Sequence, residues 1–369
     1  MSSVGAMAEA VDQAKRMEGA SSRPGCLVTA LTPGLVPSWN LYVGSHPEAT
    51  FFHTIAWRDA VADVFGHEPV YLVAFRERRV TGILPMFVVA SRLAGRMAVS
   101  VPYGVGGGII ADGEAAVTAL FRTARRVTKA RGCPIIDLRS EIAWVPDVPV
   151  VDRYAAFRRE LPASSRQVLD WLPRKARAAA RNARNKHKLS VSFGDEHLHE
   201  VWRLYSISMR RLGSLNYPVR FFEKLIELTP GRHWVSVVRH RRRTVAGLVT
   251  FLFKDSVMPY FVGMTDDAKR YSVANYVYLT VMERGVDFGY RIFDFGRTRR
   301  DNSGSYDFKR FQGFDPQPLE YQCYVRRGHK PPNLTPDNPR FRIARKVWSR
   351  LPLRITQAVG ARLARHIPG

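Results

Sequence analysis

The sequence predicts an α/β (α+β) protein of two tandem domains built to one plan, each a mixed, mostly antiparallel sheet flanked by helices, with a basic helical tail behind them. Three observations carry this expectation. A strand–turn–strand pattern with a charged turn occurs twice, a helix leading to an aspartate-containing strand occurs twice, and the excess charge is concentrated in two places. A length of 369 residues suits two domains, because single cores stop growing near roughly 250–300 residues.

Taken in order, Met1 to Ser22 has charges but no apolar run after them, so it reads as a disordered lead-in over 1–25 and not as a signal peptide. The first domain, 26–165, opens with an amphipathic helix from Thr54 to Phe65. A hairpin follows: Tyr71 to Phe75, the charged turn Arg76 to Arg79, then Val80 to Phe87. Met97 to Tyr103 is a further strand running into the glycine-rich loop Gly104 to Gly108. Ala115 to Arg131 is helical and leads to the closing strand Ile135 to Arg139, which contains Asp137. The second domain, 166–325, begins with a basic inter-domain helix over 172–188. Helices His197 to Arg211 and Val219 to Leu228 precede the second hairpin, Trp234 to Val238, Arg239 to Arg243 and Thr244 to Phe253. Strand Val257 to Gly263, helix Ala274 to Gly289 and closing strand Ile292 to Arg297 complete the repeat, with the boundary near 160–175. The tail spans 326–369.

Several classes of protein are disfavoured by composition. No apolar run approaches the roughly 18 residues of a membrane-spanning helix. Cys26, Cys133 and Cys323 are far apart and odd in number, which suggests neither a disulfide framework nor a zinc site. His197 and His199 would face apart on a helix, and no metal site is expected. Of a net charge of +25, Arg174 to Lys188 supplies +7 and Arg326 to Gly369 supplies +10, so the excess is a patch and a tail.

The run Phe293-Asp-Phe-Gly-Arg297, followed by Gly304-Ser-Tyr-Asp-Phe-Lys-Arg-Phe-Gln-Gly313, resembles the closing strand and Gly-x-Tyr-x-Phe-Lys segment of the FemAB-like tandem GNAT family. Val101-Pro-Tyr-Gly to Gly108 and the ending Asn338-Pro-Arg-Phe to Leu351-Pro-Leu353 resemble the branch found beside exosortase/PEP-CTERM exopolysaccharide systems. The likeness covers about 45–365. It implies an acyl- or aminoacyltransferase in which an amine attacks an activated ester or thioester without a covalent enzyme intermediate. The missing signal peptide and spanning helix give the cytoplasm as the expected location, with contact at the inner face of the membrane left open to the tail. The implied donor is aminoacyl-tRNA or acyl-CoA, undecided between them, with no tightly bound cofactor. The implied acceptor is an amine of a cell-envelope or exopolysaccharide precursor. A monomer is the expectation for oligomeric state.

The resemblance makes Lys309 the leading catalytic candidate, an ammonium for the oxyanion or for a donor phosphate, against the plain reading of an exposed lysine. Tyr306 and Phe308 in the same segment are candidates for substrate binding, with packing as the alternative for Phe308 and Phe311. Asp294 and Arg297 end an apolar strand and divide evenly between a substrate role and local structure, as Asp137 and Arg139 do in the first copy. Tyr103 and Tyr260 follow matching strands, where a hydroxyl orients substrate or relays a proton, or else is a satisfied core tyrosine. The Gly104 to Gly108 loop lacks GxGxxG spacing. Arg270 and Asn275 stand where acyl-CoA enzymes of the fold carry an Arg/Gln-x-x-Gly-x-Gly/Ala loop. The glycines here are Val273 and Asn275, which weakens the case for tight CoA binding.

Arg174, Arg177, Arg181, Arg184 and Lys188 recur at three- and four-residue spacing, one stripe on a helix and a candidate site for donor phosphates, tRNA included. Ala176, Ala179 and Ala183 mark another face. In the tail, Phe341, Ala344, Val347, Trp348 and Leu351 line one face, and Ile355, Val359, Leu363 and Ile367 continue at intervals of four among arginines. Two readings stand: contact with an anionic membrane through 340–367, or a helix pair packed on the second domain. A non-catalytic RNA- or membrane-binding module is the alternative from another class.

Overall fold

The computed structural model describes residues 26–330 and 339–368; the expected lead-in over 1–25 and Asn338 of the tail lie outside them. By internal contacts the chain divides into two units. The first runs through Asp152 and takes in the stretches beginning at Leu319 and at Arg365. The second is Arg153–Pro318 with the stretch ending at Ala364.

The first unit carries strands β1 (Leu27–Ala30), β2 (Glu68–Pro69), β3 (Leu72–Arg76), β4 (Arg79–Leu84), β5 (Phe87–Ser91), β6 (Gly95–Val99), β7 (Ile110–Ala111) and β8 (Ile135–Leu138). Its helices are α1 (Val36–Ser45), α2 (Ile55–Phe65) and α3 (Glu114–Ala130). β1, β3, β4 and β7 make an antiparallel sheet, and β8, β6, β5 and β2 belong to another. The Thr54 hydroxyl accepts the Trp57 N–H to start α2, and Gly66 ends it in left-handed backbone. Helix α3 lays Val117, Leu120 and Ala124 into a core that also holds Leu72, Leu84 and Ile136.

In the second unit the strands are β9 (Tyr154–Glu160), β10 (Leu189–Phe193), β11 (His233–His240), β12 (Arg243–Phe253), β13 (Ser256–Met264), β14 (Ile292–Arg299) and β15 (Gln317–Pro318). They form one sheet in the order β10-β11-β12-β13-β14-β9-β15. Its helices are α4 (Ser165–Trp171), α5 (Arg174–Asn185), α6 (Leu198–Arg211), α7 (Val219–Leu228), α8 (Val273–Asp287), α9 (Ser303–Phe311), α10 (Pro339–Trp348) and α11 (Leu353–Ala364). Helices α4, α5 and α8 cover a core containing Leu248, Val257 and Phe293. Helix α6 meets the sheet through two glycines in register, Gly247 opposite Gly263. A Cβ on Gly263 would stand 2.1 Å from the Tyr205 nitrogen, so the helix backbone rests on the strand where no side chain fits.

Two strands depart from the sequence-drawn domains. β9, placed by the sequence in the first domain, pairs with β14 from Ile292–Glu160 to Arg299–Tyr154. Its residues Ala155, Ala156 and Phe157 are all buried, so the alternation that marks a half-exposed strand is missing. A last strand, β16 (Gln322–Val325), placed by the sequence in the second domain, pairs instead with β8 from Gln322–Leu138 to Val325–Ile135.

Candidate active site

Strands β13 and β14 run parallel and pair at Ser256–Ile292 and Val257–Phe293; pairing stops there although both strands continue. Past that point each carries a bulge. On β13, Val249 faces Phe261 and Thr250 faces Pro259, which makes Tyr260 the extra residue. On β14, Asp294 faces Arg158 and Arg297 faces Ala156, so Phe295 and Gly296 together stand opposite Phe157. Bulges bend a strand and re-aim its side chains and amides. A parallel pair joined at one end and bulged on both walls is a cleft between strands.

The β14 bulge is clamped from three directions. The Asp294 carboxylate accepts the Gly296 N–H at 2.6 Å and the Arg158 Nε–H at 2.6 Å. Gly296 has φ +65 with open space around it, so glycine serves the backbone conformation there and not a close contact. From α9, the Lys309 ammonium donates to the carbonyls of Phe295 at 2.8 Å, Gly296 at 3.3 Å and Arg297 at 3.4 Å. The side chain is 7% exposed. Burial draws its pKa from 10.5 down to about 7, with the Asp294 charge opposing.

A cavity of about 550 Å³ opens where β13 ends, four residues along the chain from the Tyr260 bulge. Arg203, Ile207 and Arg210 of α6, Arg243 of β12, Thr265 and Leu353 of α11 are among its walls. Arg243 is paired with Asp267 at 2.8 Å. The Nε of Arg210 is buried without a protein partner, and Arg203 is exposed. Asp266 and Asp267 also line it, so three arginines stand against two acids, and Arg203 and Arg210 are the pair an anionic group would meet. No sequence motif marks these arginines, because they come from a helix and a strand about 40 residues apart and meet only in the fold.

Residues 173–310 match the family described as an acetyltransferase (GNAT) domain. Among solved structures, FemX superposes with a TM-score of 0.63 at 14% identity, covering 81% of this chain and 97% of that one. A tandem GNAT protein from the clavulanic acid biosynthesis pathway gives 0.53 at 11% identity, covering 81% and 98%. L-PGS from Bacillus licheniformis gives 0.51 at 13% identity, covering 89% and 100%. The chain has the tandem GNAT fold. No curated protein matches it in sequence.

Within that fold the sequence-picked residues fall into separate groups. Asp294, Arg297 and Lys309 meet at the β14 bulge. The Lys309 Nζ lies within hydrogen-bond reach of three carbonyls, so in this structure it holds the backbone of the β14 bulge. Asp294 likewise holds backbone. The Arg297 guanidinium lies over the Tyr154 ring, 4.4 Å from its centroid. Tyr306 sits edge-on to Phe157, and Phe308 packs near Tyr278 and Phe295, so both side chains hold α9 to the sheet. Tyr260 is half-buried beside Phe251 and Phe261, on the wall formed by β13.

Tyr103 and Arg139 belong to the first unit, where both side chains are buried and bonded to its own residues. The Tyr103 hydroxyl meets His67 Nε2 at 2.8 Å, and its ring stacks on Phe65. Arg139, 3% exposed, pairs with Asp137 and donates to the carbonyls of Val101 and Pro368 at 3.1 Å each. The glycine loop 104–108 is buried throughout, and a Cβ on Gly108 would strike Ser140, so its backbone faces its own chain.

The basic helix α5 is less naked than its sequence suggests. Arg177 and Arg181 approach Asp170 at 3.4 and 3.9 Å, and Arg184 meets Glu283 of α8 at 2.5 Å. Arg174 and Lys188 are exposed. The packed alanines are Ala176, Ala180 and Ala183, with Ala180 taking the place expected of Ala179. Arg270 is exposed and Asn275 half-buried at the start of α8, after a short 3-10 turn and left-handed Ser272 (φ 53).

Proposed function

We propose that the second unit transfers an acyl or aminoacyl group from an activated ester or thioester to an amine of a cell-envelope or exopolysaccharide precursor. The observation that carries this reading is the cleft between β13 and β14, bulged on both walls. A donor lying along it presents its carbonyl at the Tyr260 bulge. The amine attacks the carbonyl carbon, a C–N bond forms, and the C–O or C–S bond to the carrier breaks. The amine proton passes to the carrier, and the Tyr260 hydroxyl is the side chain suited to relay it. Lys309, Asp294 and Arg158 keep the opposite wall rigid, which reactions by alignment require. Arg203 and Arg210 hold an anionic part of the acceptor in the adjoining cavity.

A second reading, acyl-CoA-dependent N-acetylation of an amino sugar or amine, is favoured by the same cleft together with the start of α8. A 15-residue helix whose first turn follows a left-handed serine suits a phosphate. The test offers charged tRNA and acetyl-CoA separately to the full-length protein with an extract of envelope and exopolysaccharide precursors, beside Tyr260→Phe. Amide formed from charged tRNA and reduced in the variant supports the first reading, and product from acetyl-CoA alone supports the second. No amide from either donor, with precursors verified and the protein folded, leaves the non-catalytic RNA- or membrane-binding module as the surviving account.

A further inference from the structure

Helix α11 is packed inside out. Thr356, Gly360 and Ala364, four residues apart, are buried, while the aliphatic row Ile355, Val359 and Leu363 is 46%, 38% and 40% exposed. An amphipathic helix on a soluble domain ordinarily does the reverse. The inward face is made of small residues because the approach is close: a Cβ on Gly360 would stand 2.4 Å from the Asn216 Oδ1 and 3.3 Å from the Trp348 ring. Helix α10 adds Ile343 and Val347, 69% and 56% exposed. Trp348 is turned inward, its indole N–H donating to the Ser214 carbonyl at 3.0 Å, so the outward face is aliphatic and not aromatic. The Phe341 side chain lies outside the described residues.

Around this apolar row stand Lys346, Arg350, Arg354 and Arg362, all exposed, and residues 339–364 contain no aspartate or glutamate. An uncovered aliphatic row marks a contact surface. The charge selects the partner. A second copy placed symmetrically on this face would bring arginines against arginines, whereas a lipid surface carrying phosphates attracts them and takes the aliphatic row into its acyl boundary.

We propose that α10 and α11 form a docking surface for an anionic lipid bilayer, with Ile355, Val359 and Leu363 entering the acyl boundary and Arg354 and Arg362 meeting lipid phosphates. This surface acts independently of the transfer reaction and stands whether or not that reaction is found. The test is flotation of the full-length protein with phosphatidylcholine vesicles, with and without phosphatidylglycerol. One variant combines Ile355→Gln, Val359→Gln and Leu363→Gln, the other Arg354→Gln and Arg362→Gln. All five side chains are exposed, and circular dichroism checks that the helices persist.

Binding is expected only with phosphatidylglycerol. It should fall at least about tenfold in the aliphatic variant, since three side chains leave the acyl region, and should weaken with added salt and in the arginine variant. Three results overturn the proposal. They are a wild type that does not float, an aliphatic variant that floats as well as wild type, and a dimer seen by light scattering that the aliphatic variant dissolves while vesicles bind neither protein.

Discussion

Replacing Lys309 by methionine removes an ammonium that is both buried and engaged, and the two consequences separate with pH. The folded protein holds this amine near pKa 7, whereas the unfolded chain returns it to 10.5. Between those values unfolding takes up a proton, so the wild type gains stability as pH rises and loses it as pH falls towards 7. The slope is about 1.4 kcal/mol per pH unit, and the whole interval is worth about 5 kcal/mol. Methionine has no such dependence but orphans the carbonyls of residues 295–297, at about 1–3 kcal/mol for each one left unsatisfied. Near pH 7 the relieved charge offsets part of that loss. At pH 9 the wild type should lead the variant by about 2 kcal/mol more than at pH 7, since the amine is only half charged at pH 7. Urea unfolding of both proteins at pH 7, 8 and 9 measures the difference, and the lysine ¹³Cε resonance lost in the variant should titrate near 7. A stability gap that stays flat over this range, with that resonance titrating near 10.5, would refute the reasoning.

Other perturbations separate chemistry from scaffold. Tyr260→Phe should lower kcat by about 10²-fold or more if the hydroxyl relays the proton, with the melting temperature unchanged; equal turnover would exclude that role. Gly296→Ala meets no atom and pays only for its left-handed backbone, about 1–2 kcal/mol in urea unfolding. Arg139→Met should destabilise by about 3–5 kcal/mol, because Asp137 and two carbonyls lose a buried donor. Turnover per folded molecule should stay at the wild-type value, which kcat measured on the folded fraction checks.

The repeat was legible because its hairpins and closing strands are half-buried and carry their turns locally. Thr54 and Gly66 bracket α2 within a residue of the helix read from the pattern, as local capping allows. β9 escaped notice because both its faces are covered and nothing alternates. The motif around Lys309 was found by resemblance, but its burial was not. A lysine in a polar segment reads as exposed until the fold brings three carbonyls to it from a strand a dozen residues earlier. The basic stripe misled in the opposite way: its acids, Asp170 and Glu283, lie on other helices. Sequence spacing also found the tail's aliphatic row while leaving open which way it faces, which depends on the room that Gly360 leaves beside Asn216 and Trp348.

The exchange of β9 and β16 sets an order of events during synthesis. The first unit's strand β8 leaves the ribosome by Leu138, yet the strand that covers its edge, β16, follows about 190 residues later, on the order of 10–40 s at ordinary translation rates. Through that interval the N-terminal unit waits with an open sheet edge, while the second unit, which already holds β9, can close around β14. A stalled or truncated nascent chain would therefore present an adhesive strand and draw chaperones. Cutting the gene at the apparent domain boundary would strand each half without a piece of its sheet.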